Sequence, residues 1–284
     1  MKRLIVTADD FGLTRSINEG IVKACREGIV TNINVLPSGG AFGDAVRLLQ
    51  ELKPKDIGAH LSLTETDAVS DPGKIPALVT RGSRFHKDHN LFFMKFKLGM
   101  IHRHDICTEL ERQLRMAESI GIPISNLSSH EHIHMMPKLF DIFVALAKEH
   151  GIPALRMPAD DTYAAGLSPA KIAKRMIVAC FAPGMERRLR AGGIRYAEHF
   201  AGFLDSGRLR EEALLGILAS LKDGTTELVT HPGFIGPEVI SRYRFHLNSE
   251  YELYALTGKR AKDALKTEGI KLSTYGEFVS GTGA

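Results

Sequence analysis

Two adjacent aspartates, Asp9 and Asp10, end an apolar run near the amino terminus, and three histidines, His130, His132 and His134, follow another such run. Carboxylates with neutral imidazoles form the donor set of a divalent metal site, because both offer lone pairs to borderline cations. His60 stands in a third apolar run, between Ala59 and Leu61. A histidine in such a run is by itself more often a hydrogen-bonded core residue. Carboxylate and imidazole partners on other runs make ligation the better reading. Arg156 ends a further run, and a buried guanidinium needs an anionic partner. Asp9 is the natural one. His231-Pro232-Gly233 sets an imidazole on a rigid turn, and a charge switch near physiological pH suits a general acid.

Geometry divides the roles. Neighbours in an extended chain point to opposite sides, so one aspartate would bind a metal while the other faces the substrate. A turn or a helix cap is the plain alternative for such a pair. With a period of two, His130, His132 and His134 share one side; with a helical period, His130 and His134 still do.

The elements that must position these residues are short apolar runs alternating with amphipathic helices. Strands are expected at 4–8, 29–36, 57–63, 124–129, 154–157, 197–203, 227–230 and 270–273. Helices are expected at 17–27, 41–52, 106–119, 137–150, 211–221 and 249–268. This alternation is the pattern of βα units around a parallel sheet. It predicts an α/β fold, a TIM-like (β/α) barrel of seven or eight strands, incomplete or distorted; a doubly wound open sheet is the alternative. In a barrel all the polar clusters above fall at the carboxyl ends of strands, where active sites are built. A single catalytic domain over residues 1–284 is expected, with excursions at about 64–104 and 158–195.

Composition narrows the partners. A formal net charge of +4 is too mild to demand a nucleic acid. Three cysteines, Cys25, Cys107 and Cys180, cannot all pair within one chain, which favours free thiols in a reducing compartment. The first apolar run is too short for a signal-peptide core, and no run approaches the ~18 residues of a membrane span. A cytoplasmic protein is expected. Residues 171–195 carry seven Lys or Arg against one Glu, beside Met176, Ile177, Val178 and Phe181. That mixture suits peripheral contact with anionic lipid on the inner face of a membrane. A lid or an oligomer contact, such as a homodimer, is the plain reading.

Ala8-Asp9-Asp10-Phe11-Gly12, Gly58-Ala59-His60-Leu61, Ser129-His130-Glu131-His132-Ile133-His134 and His231-Pro232-Gly233 together resemble the motifs of the YdjC/ChbG-like carbohydrate deacetylases. The order agrees, and the likeness runs over most of the chain. The resemblance implies a (β/α) barrel that hydrolyses acetamido groups on chitooligosaccharide-type sugars. It assigns one divalent metal ion, magnesium or zinc among the candidates, to Asp10, His60 and His130. It implies that Asp9 is the base and that Arg156 orients it. The excursions and the 195–232 region resemble the hopanoid-biosynthesis branch, which implies an N-acetylglucosaminyl hopanoid glycolipid.

The expected reaction follows. The metal polarises the amide oxygen and activates water, and Asp9 takes the proton. His231, with His134 as second choice, protonates the departing amine, while His132 and Phe11 contact the substrate. A sugar isomerase or epimerase on a barrel would need more carboxylates than Asp9 and Asp10 supply. A phosphoesterase would be expected to show a Gly-rich phosphate cradle, and none stands out. A non-catalytic sugar-binding module would bind without releasing acetate.

Overall fold

The computed structural model describes residues 1–80, 82–87, 89–158 and 169–281, without the side chains of 169–175, 177 and 178. Strand β1 spans Lys2–Phe11 and is buried from Leu4 onward, as a strand covered on both faces must be. It is followed by β2 (Asn32–Val35), β3 (Ile57–Leu61), β4 (Ile124–Ser129), β5 (His199–Ala201), β6 (Gly224–Thr230) and β7 (Lys271–Leu272). The sheet runs β4-β3-β2-β1-β6-β5, with β7 paired to β1, and every ladder is parallel. Past β4, Leu127 bridges Leu155 and Ala154 bridges Arg195, carrying the ladder towards the chain that enters β5. The sheet curls into an incomplete, distorted (β/α) barrel. It does not form the doubly wound alternative.

Helices cover its outer face because that face is apolar. Leu4, Val6, Ala8, Ile33 and Val35 pack against the helices at 15–27, 42–52, 211–220 and 249–257 in one cluster. Ala59, Leu61 and Leu127 pack with the helices at 103–118 and 137–149 in another. The first helix starts at Thr14, whose Oγ1 accepts from Ile17 N–H at 3.2 Å, a side-chain N-cap.

Three expectations are corrected. The strand expected at 197–203 shrinks to three residues, and 154–157 contributes only bridges. The helix expected at 249–268 is two, Ser249–Thr257 and Lys259–Thr267, because Gly258 takes an extended conformation between them. The excursions hold helices of their own, at His89–Lys97 and Pro169–Gly192; residues 159–168 of the second lie outside the described residues. Among the described residues no helix is long and apolar enough to cross a membrane, and the three cysteines are unpaired.

Much of the concave face of the sheet is polar. Asn34 on β2 donates to Ser128 Oγ of β4 at 2.9 Å and accepts from Asn126 Nδ2 at 3.0 Å, reaching over the intervening β3. Only a glycine fits beneath this crossing: a Cβ on Gly58 would stand 1.7 Å from Asn34 Oδ1. Asn126 and Asn34 are 0% exposed, so their hydrogen bonds replace the water that folding removes.

Candidate metal centre and active site

Asp10 has φ 68°, the left-handed region, at a bulge between Ala8 and Phe11. This twist overturns the expected division of the pair onto opposite sides, which assumed an extended chain. Both carboxylates flank one imidazole: His60 Nδ1 lies 3.8 Å from Asp9 Oδ1, and its Nε2 lies 3.5 Å from Asp10 Oδ1. Ser128 Oγ, 2.7 Å from His60 Nδ1, fixes the ring. With Nδ1 donating there, Nε2 presents its lone pair towards Asp10, the usual way a protein orients a ligating histidine.

His130 Nδ1 stands 2.8 Å from Asp10 Oδ1, and its Nε2 meets Glu65 Oε2 at 3.2 Å. The three histidines do not share a side. Glu131 and His132 have φ of 52° and 53°, so neither period holds and the rings diverge. His132 packs edge-on to Phe203 at 4.9 Å. His134 is 0% exposed, with Nδ1 2.6 Å from Ser129 Oγ and Nε2 3.2 Å from the Arg156 carbonyl. Burial, with the Arg156 charge, pushes its pKa down to about 3. Phe11 is not brought to the cluster; its ring is 0% exposed, in the same apolar core as Ile17 and Val35.

Donor atoms of Asp10, His60 and His130 all lie within 4.8 Å of one another. Ligands about 2.1 Å from an ion stand roughly 3–4 Å apart, so the set fits one divalent cation with little movement. The electrostatics agree. Burial pushes His60 down to about 4 despite both aspartates, leaving a neutral ring near pH 7. Burial also lowers His130, but Asp10 outweighs it and holds that pKa well above the usual imidazole value. Asp10 therefore binds positive charge strongly, and a metal ion competes with the His130 proton for that place.

Asp9 is held differently. Arg156 Nη1 lies 2.5 Å from Oδ2 and Nη2 lies 2.9 Å from Oδ1, while Asn34 Nδ2 donates to Oδ1 at 2.7 Å. Burial raises the Asp9 carboxyl, but the guanidinium prevails and sets it at about 2. Arg156 also reaches Glu227 Oε1 from Nε at 2.9 Å and Nη2 at 2.8 Å. The expected Asp9–Arg156 partnership is present. His231 Nε2 lies 4.0 Å from Asp9 Oδ2, and its Nδ1 lies 4.0 Å from Glu252 Oε2. That Nδ1 is buried without a hydrogen-bond partner.

A model of the YdjC-like protein family matches residues 3–267. The chain belongs to this family. It is 31% identical to a chitooligosaccharide deacetylase of Klebsiella pneumoniae, over 96% of this chain and 97% of that one. It is 27% identical to a carbohydrate deacetylase of Thermoanaerobacter pseudethanolicus, over 97% and 98% respectively. A crystal structure of a provisionally named cellobiose-phosphate cleavage protein from Enterococcus faecalis has the same fold. Its TM-score is 0.77 at 23% identity, with 98% of each chain covered.

This YdjC-like protein also brings to the site residues that sequence reading missed. His246, on a short turn at Arg244–Asn248, is 1% exposed. Its Nε2 lies 3.1 Å from Asp10 Oδ2, and its Nδ1 lies 3.0 Å from Ser249 Oγ. Asp10 is thus held between His130 on one oxygen and His246 on the other. Glu252, 0% exposed, accepts from the His231 backbone N–H at 2.6 Å. Burial raises its carboxyl to about 7, with three backbone N–H groups pulling the other way. No apolar run flags His246 or Glu252, so their sequence surroundings gave no signal. His246→Ala is expected to weaken metal affinity about 10–100-fold, as loss of a group that orients a ligand does. Metal titration of activity reads it directly, and an unchanged midpoint removes His246 from the centre.

Proposed function

We propose that this protein is a metal-dependent hydrolase that removes the N-acetyl group from an N-acetylated amino sugar. The observation that carries this is the placing of Asp10, His60 and His130 beside an Arg156-held Asp9 and a His231 that faces it. Asp10, His60 and His130 would hold a divalent ion, which would supply a Lewis acid for the amide oxygen and lower the pKa of water. Asp9 remains ionised, and Oδ2 accepts the proton released as water attacks the acetamido carbon. Arg156 fixes the plane of that carboxylate. His231 Nε2, 4.0 Å away, receives the proton and passes it to the departing nitrogen as the C–N bond breaks. Acetate and a free amine leave. His134, tied at both ring nitrogens, serves to position the Arg156 backbone.

Relatives named as chitooligosaccharide and carbohydrate deacetylases support a chitooligosaccharide-like substrate. A glycolipid carrying the same acetamido sugar, such as an N-acetylglucosaminyl hopanoid, is the second reading. It is favoured by the exposure of Met176 and Phe181 on the basic helix at 169–192. The test is acetate release from N-acetylglucosamine compounds, soluble and lipid-linked, with and without chelator. Release that chelator abolishes and added zinc or magnesium restores is expected. Sugar binding without release on any compound would sink the hydrolase reading.

A further inference from the structure

The excursion between β3 and the helix at Arg103–Glu118 builds a surface that the chemistry above does not use. It leaves the sheet at the carboxyl end of β3 and returns through a helix that leads back to the start of β4. Both ends of the segment therefore lie on the face where the site opens. His89 Nδ1, 3.1 Å from Glu131 Oε1, ties its helix beside the turn that carries His130.

The helix at His89–Lys97 buries Phe92, whose ring stacks on Phe96 at 6.2 Å. At 100° per residue, Leu91, Met94 and Leu98 project together away from that pair. All three are exposed, Leu98 by 67%; Phe93, on the side nearer Phe96, and Met100, past the end of the helix, are exposed too, at 45% and 57%. Five large apolar side chains on one short segment exceed the scattered exposure of an ordinary surface. Within the segment itself the charges have one sign. From residue 89 to 104 the chain holds Lys95, Lys97 and Arg103 and not one Asp or Glu. A second copy of this segment would meet like charge with like. An anionic bilayer offers hydrocarbon for the five side chains and negative headgroups for the bases.

The geometry points to residues 91–103 as a membrane-docking surface that seats the protein on an anionic lipid bilayer with its active-site face towards the headgroups. Apolar insertion supplies the anchor, and the bases select the membrane charge. The inference is independent of the deacetylase reading, because docking is measured without turnover.

The test is co-sedimentation of the full chain with phosphatidylcholine vesicles, pure or with about 30% phosphatidylglycerol. Binding is expected only to the anionic vesicles and is expected to weaken as salt rises. Leu91→Glu/Met94→Glu/Leu98→Glu should lower the partition coefficient at least about tenfold. Because these side chains are exposed, the triple variant should keep its fold, its melting temperature and its metal affinity. Lys97→Glu/Arg103→Glu should weaken binding and flatten the salt dependence. Three results overturn the proposal: no vesicle binding, equal binding to both vesicle types, or wild-type binding by the triple variant. A dimer seen by light scattering that the triple variant dissolves would overturn it too, assigning the surface to a second copy.

Discussion

Asp9→Asn is expected to lower kcat/KM for acetate release by about a thousandfold or more, the scale of a lost general base. Metal binding should survive, because Asp10, His60 and His130 keep their places. The amide cannot take a proton from the attacking water, so the loss should fall on kcat and not on KM. Asn at this position can still accept from Arg156 and Asn34 through its one carbonyl oxygen. Its amide nitrogen, however, would confront one of the two donors that now meet Oδ1 and Oδ2. Some loss of stability should therefore accompany the loss of activity, and calorimetry separates the two. Acetate release is the decisive measurement, with metal stoichiometry taken on the same sample. Full activity would remove Asp9 from the base role and leave His231 as the residue facing the attacking water.

The large features of this site were legible because each lies in or at the end of an apolar run. Asp9, Asp10, His130, Arg156 and His231 stand out at strand ends and His60 within a run, the family resemblance supplies their roles, and the barrel brings them together. What was not legible falls into two kinds. Backbone conformation came first: the left-handed φ at Asp10, Glu131 and His132 turns side chains in ways that an assumed period cannot foresee. Asp10 is a residue type that tolerates this region through its short polar side chain. The second kind is the polar lining. Asn32 and Asn34 alternate with Ile33 and Val35, and Asn126 and Ser128 bracket Leu127. Such alternation ordinarily marks a strand with one face in water. Here the polar face looks inward, where Asn34 and Ser128 hold Asp9 and His60. The pattern was visible, and only the curl of the sheet says which face is inside.

That lining also explains why a charged group can sit at the centre of a small barrel. Barrels of this kind usually fill their interior with branched apolar side chains. In this chain Thr7, Asp9, Asn34, Asn126, Ser128, Arg156 and Glu227 are all at most 1% exposed. Tyr275 from the carboxyl-terminal helix closes the set by donating to Glu227 Oε2 at 2.7 Å. One guanidinium thus stands between two carboxylates, and the phenol satisfies the oxygen that Arg156 leaves free.

Arg156→Leu is expected to destabilise the protein by about 3–5 kcal/mol near pH 7.5. The size comes from what is left behind. Asp9 and Glu227 would remain buried with no cation between them, and such carboxylates resist ionisation. The sign of the pH dependence follows. In the native protein Asp9 sits at about 2, below its ordinary value of 3.8. It therefore contributes stability at neutral pH that is lost only as pH falls through that low value. In the variant the Asp9 carboxyl rises above its unfolded value and is most favourable when protonated. The gap in stability between the two proteins should therefore narrow as pH falls from 7.5 towards 5, measured by urea unfolding. A gap that stays constant over this range would mean that lost packing, not unpaired charge, causes the defect. Asp9→Asn combined with Arg156→Leu should recover part of the stability, since one buried charge is removed with its partner. It should recover none of the activity. That opposition separates the structural work of the Arg156–Asp9 pair from its chemical work.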